Sequence, residues 1–315
     1  MADKIINSDS PIVTVSVITY NSSRFVLETL ESVKAQTYQP LILHICDDCS
    51  TDDTVKICKN WIEENKDRFI KTKVIISEFN TGISANLNRA MDACETEWFK
   101  GVAGDDVLKP ECLREYMQYV QRNPDVVVLF SRVEAFGVNR ERVSAFSSFF
   151  DYGFFDLTQA EQLERLIMKG NCIPAATALF NVKYMREKNI KADERIPMLE
   201  DHPLWINFLK NGVRFNFVDQ ILVQYRVGEG GLSSGSSRSI EFQHSYRLFL
   251  LYYIFPILYP RDPSDALGLI AKELNALMQD FRALYNSPSY RYGRLLLSPL
   301  KWIKKHILTF VVENR

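Results

Sequence analysis

The sequence predicts an α/β protein with a mostly parallel, Rossmann-like sheet flanked by helices and followed by a helical C-terminal extension. Between residues 12 and 103, short β-branched apolar segments alternate with segments whose apolar residues recur at helical spacing. A strand, a helix and a second strand in this order form a parallel pair with a right-handed crossover. Hydrophobic residues make up 46% and charged residues 24% of the 315 positions, which excludes disordered and collagen-like architectures.

The first hundred residues carry this alternation most clearly. Residues 12–20, IVTVSVITY, are mainly β-branched and apolar, as in a strand buried on both faces of a sheet. In the helix predicted for 24–36, Val26, Leu30 and Val33 recur every three to four residues. The other elements predicted here are strands at 41–46, 73–77 and 98–103 and helices at 52–65 and 83–93.

The second half is less regular and leads to a segment rich in Gly and Ser. A helix is predicted to begin at Val107-Leu108-Lys109-Pro110. The elements predicted after it are strands at 126–136, 176–181 and 215–224 and helices at 158–169 and 200–210. Residues 228–239 have no periodicity, which predicts a flexible loop. The chain therefore divides into a tail at 1–10, a domain at 11–230, and a loop with a helical region at 231–315.

Charge and cysteine content exclude several classes of protein. Lys and Arg number 38 and Asp and Glu number 39, and this balance argues against nucleic-acid binding. The six cysteines and the lack of an apolar leader predict reduced thiols in a cytoplasmic protein. Cys46 and Cys49 have CxxC spacing, but no second CxxC completes a zinc site. No apolar run reaches the ~18 residues that cross a bilayer.

Polar segments follow three of the predicted strands at the point where each strand ends. They are Thr19-Tyr20-Asn21, Asp47-Asp48 and Gly104-Asp105-Asp106. Because ligands bind beyond the carboxyl ends of such strands, we expect these segments to meet at one site. The G-x-G-x-x-G and P-loop motifs are absent, which argues against dehydrogenases and P-loop NTPases. Carboxylates in place of glycines indicate a diphosphate that is held through a metal ion.

Each acidic pair has two interpretations. Asp105-Asp106 offers the oxygen ligands that Mg²⁺ or Mn²⁺ prefers, or it caps the following helix. Asp47-Asp48 accepts hydrogen bonds from a base or a ribose, or it caps the helix after it. Glu200-Asp201 supplies a general base and an orienting neighbour, or it stabilises a helix N-terminus by its charge. The histidines, at 44, 202, 244 and 306, lack metal-ligand spacing.

A series of short motifs carries a resemblance to a known family. The motifs are VSVITYN at 15–21, DDCSTDDT at 47–54, NTGIS at 80–84, GDD at 104–106, ED at 200–201 and YR at 225–226. In this order and spacing they resemble glycosyltransferase family 2, the inverting nucleotide-sugar transferases with the GT-A fold. The resemblance covers roughly residues 12–230.

The resemblance implies a GT-A domain with a nucleotide-binding half at 11–130 and an acceptor half at 131–230. It implies that Asp201 is the catalytic base, assisted by Glu200, and that Asp106 with Asp105 binds Mn²⁺ or Mg²⁺. The residues that it implies for the nucleotide sugar are Thr19, Tyr20, Asn21, Asp47, Asp48, Asn80, Gly82, Asn86, Arg89, Asp105 and Arg226.

The chain departs from the family pattern at three positions. The first carboxylate of the usual D-x-D-D is Ala103 here, which leaves open which Asp of the pair binds the metal. The Arg often found before the Asn of the third motif is Leu87, and Arg89 either replaces it or lies on the helix surface. The His expected after the Tyr-Arg pair is absent, so that Arg226 or Arg238 is expected to contact the diphosphate.

The resemblance also implies the reaction. The enzyme is expected to transfer a sugar from a UDP-sugar to a hydroxyl of a saccharide acceptor by single displacement, with formation of a β-linkage. The expected acceptor is linked to undecaprenyl diphosphate and belongs to surface polysaccharide synthesis, such as that of O-antigen. The altered D-x-D-D leaves an alternative, a nucleotide-sugar-binding protein with a degenerate site. A nucleotidyltransferase is disfavoured because the first loop lacks a basic, glycine-rich sequence.

The C-terminal tail has its own pattern. Basic residues between Arg291 and His306 interleave with Trp302 and aliphatic residues, as in an amphipathic helix at a membrane surface. This pattern predicts a peripheral membrane contact, and the family resemblance implies that the contact is with the cytoplasmic face of the inner membrane. A helix that packs on the catalytic domain explains the pattern equally well.

Overall fold

The computed structural model describes residues 10–139, 150–227 and 240–286, and positions 141, 143, 144 and 148 between them. The described residues form two compact units. The first ends at Tyr253 and the second begins at Ile254. The tail at 1–9, the loop at 228–239 and the amphipathic pattern at 291–306 lie outside the described residues.

The first unit is built on one sheet, whose eight strands are ordered β3-β2-β1-β4-β7-β6-β8-β5. Their bounds are β1 Val13–Thr19, β2 Leu41–Asp47, β3 Lys71–Ile76, β4 Trp98–Ala103, β5 Val107–Leu108, β6 Val128–Phe136, β7 Leu179–Asn181 and β8 Asn216–Arg226. Strand β1 pairs in parallel with both β2 and β4, whereas β7 and β5 are antiparallel to their neighbours. This mixed sheet with flanking helices confirms the predicted α/β class.

Helices cover both faces of the sheet. In the first unit they are α1 Val26–Lys34, α2 Thr54–Asn65, α3 Ile83–Asp92, α4 Cys112–Arg122, α5 Gln159–Lys169, α6 Val182–Glu187, α7 Asp201–Lys210 and α8 Ile240–Phe249. A π-helical turn, Leu250–Ile254, follows α8. The second unit contains α9 Phe255–Leu258 and α10 Pro263–Asn286, which confirms a helical C-terminal region. None of the helices in the described part of the chain is long and apolar enough to cross a membrane.

Two hydrophobic cores lie on the two faces of the sheet. Val13, Val15 and Val17 of β1 contribute to the core that α1, α2 and α4 cover. The second core, under α3, α5 and α7, is aromatic, and the ring centroids of Phe130 and Trp205 are 5.1 Å apart. Because Trp205 belongs to α7, this core fixes the helix whose first turn carries one of the predicted acidic pairs.

The structure differs from the prediction around residue 107. The predicted helix start at Val107 is wrong, because Val107–Leu108 forms β5 and pairs antiparallel with β8. The helix begins only at Cys112. Pro110 explains the delay, since the residue before a proline is disfavoured in the α conformation. The strand predicted at 176–181 is shorter, because Ala175–Thr177 is a 3-10 turn and only Leu179–Asn181 pairs.

All six cysteines are free. The Sγ atoms of Cys46 and Cys49 point to different carbonyl oxygens, those of Asn86 at 3.7 Å and Glu78 at 3.5 Å. Burial raises the pKa of the Cys46 thiol to about 11. The CxxC spacing therefore does not form a disulfide.

A buried histidine in the sheet makes stability depend on pH. His44 of β2 is 1% exposed, and neither ring nitrogen has a hydrogen-bond partner in the described structure. Burial, with a smaller contribution from Lys73, lowers its pKa from 6.5 to about 4. The folded protein therefore binds fewer protons here than the unfolded chain as the pH falls below 6.5, so stability falls toward pH 4.

We expect His44→Leu to be as stable as the wild type at pH 7 or more so, because an apolar side chain replaces an unpartnered polar one. The variant should lose less stability in acid, with a gap of about 3 kcal/mol by pH 4. Urea unfolding between pH 7 and pH 4 measures this gap. The exposed His244→Leu is the matched control. Equal acid dependence in wild type and His44→Leu would show that His44 does not couple folding to pH.

Candidate active site

The first acidic pair, after β2, holds the edge of the sheet together. The Asp47 side chain is fully buried, and its Oδ2 accepts hydrogen bonds from the hydroxyls of Thr19 at 2.7 Å and Ser50 at 2.6 Å. Its Oδ1 accepts the backbone N–H of Ser50 at 2.8 Å. The Asp47 carboxylate is therefore engaged within the protein, and it joins the ends of β1 and β2.

Asp48 fastens the loop before α3 to the end of β2. Its Oδ2 accepts the backbone N–H groups of Thr81 at 2.9 Å and Gly82 at 2.8 Å, and its Oδ1 accepts the Thr81 hydroxyl at 2.6 Å. Asn80 Oδ1 also accepts the Gly82 N–H, at 3.0 Å. Gly82 has a φ of +86°, and a Cβ atom on it would lie 2.8 Å from the carbonyl oxygen of Pro197. Only glycine therefore fits this loop without displacement.

Arg89 of α3 belongs to the same cluster and does not lie on the helix surface as an isolated charge. Its guanidinium donates to Asn86 Oδ1 at 2.8 Å, to the Thr81 hydroxyl at 2.9 Å and to the Ser77 hydroxyl at 3.1 Å. Its Nη1 lies 3.4 Å from Asp48 Oδ1. Asn86 in turn donates to the Cys46 carbonyl at 3.1 Å, so α3 is fixed to the end of β2.

The loop after β1 presents an aromatic side chain at this edge. Tyr20 is 49% exposed, whereas the neighbouring Asn21 is held in the left-handed region with a φ of 49°. Asn21 Oδ1 accepts the backbone N–H of Thr51 at 2.8 Å, and its own N–H donates to the Ser50 hydroxyl at 2.7 Å. The fixed loop leaves the Tyr20 ring available for stacking against a planar ligand.

The acidic pair after β4 is less completely hydrogen-bonded. Asp106 is 1% exposed, and its Oδ1 accepts the Arg226 backbone N–H at 2.9 Å. Its Oδ2 is buried and has no hydrogen-bond partner in the described chain. Burial and the neighbouring Asp105 raise the pKa of Asp106, and burial also raises the pKa of Asp105.

These two carboxyl groups fit a divalent cation. A cation would satisfy the unpartnered oxygen of Asp106 and would return both groups to their ionised form. No cluster of three or more His, Cys, Asp or Glu side chains suited to a metal exists in the described residues. A cation held here would therefore need water and substrate phosphates as further ligands, as Mg²⁺ sites commonly have.

Arg226 lies next to this pair, but its guanidinium already has partners within the protein. Its Nε donates to the Asp105 carbonyl at 2.9 Å, and its Nη2 forms an ion pair with Glu28. The guanidinium carbon also lies 4.3 Å from the ring centroid of Phe25 and 4.4 Å from that of Phe136. The predicted contact of Arg226 with a diphosphate stays a prediction, and Arg238 lies outside the described residues.

The third acidic pair lies at the start of α7, and both of its side chains are half-buried. Asp201 Oδ2 accepts the amide of Asn171 at 2.6 Å, and Oδ1 accepts the backbone N–H of His202 at 2.6 Å. Burial raises the pKa of Asp201, and burial with the charge of Asp201 raises the pKa of Glu200 to about 8. Two adjacent carboxyl groups with raised pKa values are suited to proton transfer.

Helix α3 is hydrogen-bonded to the segment that leads to this third pair. Ser84 donates its backbone N–H to Pro197 at 3.2 Å and its hydroxyl to the carbonyl of Ile196 at 2.7 Å. No sequence motif predicts this link, or Asn171 and Glu28 as partners of Asp201 and Arg226.

Fold and site together are those of an α/β transferase with acidic loops at the carboxyl edge of a parallel sheet. Residues 14–184 match the family profile described as Glycosyl transferase family 2, and the chain belongs to this family. The resemblance inferred from the motifs is thereby confirmed, and the protein is a glycosyltransferase.

Two curated relatives and one solved structure illustrate the similarity. An uncharacterised glycosyltransferase of Methanocaldococcus jannaschii is 24% identical over 221 residues, which cover 70% of this chain and 72% of the relative. The putative teichuronic acid biosynthesis glycosyltransferase TuaG of Bacillus subtilis is 24% identical, with 73% and 85% covered. Staphylococcus aureus TarS, crystallised with UDP-GlcNAc, is 22% identical with a TM-score of 0.59. The match covers 76% of this chain but only 65% of the TarS chain, and it shows the fold alone.

We expect Gly82→Ala to destabilise the protein by about 2–4 kcal/mol, because backbone strain adds to the clash with Pro197. Gly212→Ala is the matched control, since Gly212 has a φ of +80° with no atom within 4 Å of an added Cβ. The control should lose only the strain term of about 1–2 kcal/mol. Urea unfolding of both variants measures the difference. Equal losses would mean that the loop shifts away from Pro197 without cost.

Proposed function

We propose that this glycosyltransferase is an inverting enzyme that transfers a sugar from a UDP-sugar to a hydroxyl of a saccharide acceptor, with formation of a β-glycosidic bond. The observation that carries the proposal is that two acidic pairs lie in different places and have different hydrogen-bond partners. Asp105 and Asp106 follow β4 at the carboxyl edge of the sheet, where Asp106 keeps an oxygen without a partner in the described chain, whereas Asp201 is a separate, oriented carboxyl group at the start of α7. The UDP-GlcNAc complex of TarS supports the choice of donor.

The donor is expected to bind across the ends of β1, β2 and β4. The exposed Tyr20 ring would stack on the base, and the Asn80–Gly82 loop, held by Asp48, would line the nucleoside pocket. Asp105 and Asp106 would hold Mn²⁺ or Mg²⁺, which supplies positive charge against the leaving diphosphate. Asp201 would take the proton from the acceptor hydroxyl while that oxygen attacks the anomeric carbon and the bond to UDP breaks. Attack from the opposite face turns an α-linked donor into a β-glycoside.

Glu200 and Asp201 have different roles in this mechanism. Burial and the charge of Asp201 raise the pKa of Glu200, which favours its protonated form. A protonated carboxyl group donates a hydrogen bond, so Glu200 is suited to orient the acceptor. The two hydrogen bonds that the Asp201 carboxylate accepts favour its ionised form and oppose the effect of burial, which raises its pKa. An inactive binding protein has no need for such a pair, and the alternative of a degenerate site is not favoured.

The acceptor belongs, on this proposal, to the synthesis of a bacterial surface polysaccharide. The TuaG relative supports this class of product, since its name assigns it to teichuronic acid biosynthesis. An acceptor linked to undecaprenyl diphosphate, a cytoplasmic location and a peripheral membrane contact through the tail at 291–306 stay predictions.

We expect UDP to bind with micromolar affinity in the presence of Mn²⁺, and isothermal titration calorimetry with and without the metal measures this. Asp106→Asn should abolish the metal-dependent binding, because it removes the charge and the free oxygen that the cation needs. It should leave the protein folded, since a neutral amide suits the buried position better than an ionised carboxylate. The control is Asp125→Asn at an exposed position. Absence of binding in the wild type under both conditions would contradict the UDP donor.

We expect Asp201→Asn to lower kcat by about 10²- to 10⁴-fold, the usual contribution of a general base. UDP affinity should stay unchanged, because Asp201 lies at the start of α7 and not at the ends of β1, β2 and β4, where the donor is proposed to bind. Release of UDP from a UDP-sugar that supports turnover in a donor screen measures the rate. The matched control is Asp219→Asn on β8, whose carboxylate pairs with Arg132. A wild-type rate for Asp201→Asn would show that another group is the base.

A further inference from the structure

Asn171 touches the proposed base, although no sequence motif points to it. Its Nδ2 donates to Asp201 Oδ2 at 2.6 Å, and its Oδ1 accepts the backbone N–H of Ile173 at 3.2 Å. The two ends of the amide therefore have separate tasks. The oxygen shapes the turn in which Asn171 lies, and the nitrogen reaches across to α7.

Buried polar groups hold the segment that carries Asn171. The Lys100 ammonium, fully buried in β4, donates to the carbonyl of Ala176 at 2.7 Å. The buried Tyr116 hydroxyl of α4 donates to the carbonyl of Thr177 at 2.5 Å. Burying these groups is costly, and it is compensated only when such hydrogen bonds form. The segment is therefore fixed to two elements of the core at residues 176 and 177, a few positions after Asn171.

Each oxygen of Asp201 receives one hydrogen bond, Oδ2 from Asn171 and Oδ1 from the N–H of His202. A carboxylate oxygen has two lone pairs, so each oxygen keeps one for an incoming hydroxyl. The two donors lie on different parts of the chain, and together they determine the orientation of the carboxylate plane.

We propose that Asn171 is a positioning residue that holds Asp201 in the orientation needed to accept the proton of the acceptor hydroxyl. The inference rests on the proposed function, in which Asp201 is the base. Asn171 donates to the ionised form of Asp201, and this hydrogen bond opposes the effect of burial on the pKa of that group.

The other titratable groups around Asp201 do not replace this donor. Glu200 precedes it in the chain, and its pKa is raised to about 8. His202 is buried with its pKa lowered to about 4, so its ring is neutral at pH 7. Burial raises the pKa of the Cys172 thiol to about 11, and Arg165 of α5 is already in an ion pair.

Asn171→Asp is the decisive variant, because it keeps the oxygen that shapes the turn and removes the donated hydrogen bond. We expect kcat to fall about 10- to 100-fold, as for a misoriented catalytic group, with the KM for the donor unchanged. We also expect the acid limb of the pH profile of kcat to move up by about one unit, because a carboxyl group replaces the donor. If residue 171 did not contact the catalytic base, this limb would stay where it is in the wild type.

The matched control is Asn181→Asp, at the opposite end of the sheet. Asn181 also accepts a backbone N–H through its oxygen, from Tyr184, and donates through its nitrogen, to Glu97. The control should leave kcat and its pH profile unchanged. Wild-type kcat and an unshifted acid limb for Asn171→Asp, measured beside an impaired Asp201→Asn, would overturn the inference and leave the proposed function intact. A wild-type rate for Asp201→Asn would instead overturn the base assignment, and the inference with it.

The double variant Asn171→Asp/Asp201→Asn gives a readout that is independent of turnover. It exchanges donor and acceptor, so the hydrogen bond can form again in the opposite sense. We expect Asn171→Asp alone to lower the melting temperature above pH 6, where two carboxylates face each other, and we expect the double variant to recover it. If the double variant recovers no stability, the contact between residues 171 and 201 does not exist in solution and the inference fails.

Discussion

Parallel pairing of β1 with β2 on one side and β4 on the other is the constraint on which the site depends. In this register Thr19 lies opposite Asp47 and Ile18 lies opposite Ala103, so the three strands end at the same level. Their following loops must therefore share one edge of the sheet. A slip of one residue would turn the Asp47 side chain to the other face, and the hydrogen bond from Thr19 would be lost.

Hydrogen-bond donors divide the acidic residues of this edge into two kinds. Asp47 and Asp48 are buried, and hydroxyl and backbone N–H groups satisfy their oxygens. They determine the architecture. Asp106 keeps a buried oxygen without a partner in the described chain, and its pKa is raised. Burying this oxygen without a partner lowers the free energy of unfolding, and a bound cation would offset that cost.

The sequence was sufficient for those parts of the molecule that local pattern determines. Alternating strands and helices predicted the parallel half, and the strand ends located the acidic loops, because both signals lie within short segments. The contact of Asn171 with Asp201 spans 30 positions, and that of Glu28 with Arg226 spans 198. Such contacts depend on how distant elements pack, and no local periodicity records them. The same reason explains β5, which exists only because β8 is beside it.

Helix α3 has a consequence for how this enzyme can be recombined with its relatives. Ser84 and Asn88 bind the backbone of the segment at 192–197, the first through the carbonyl of Ile196 and the second through both polar groups of Ala192. A helix that lies more than a hundred residues earlier in the chain thus holds the segment that leads to Asp201. A chimera that takes only residues 192–197 from a relative would lose the matching hydrogen bonds with Ser84 and Asn88. The segment and α3 should therefore be exchanged together, although they are far apart in the sequence.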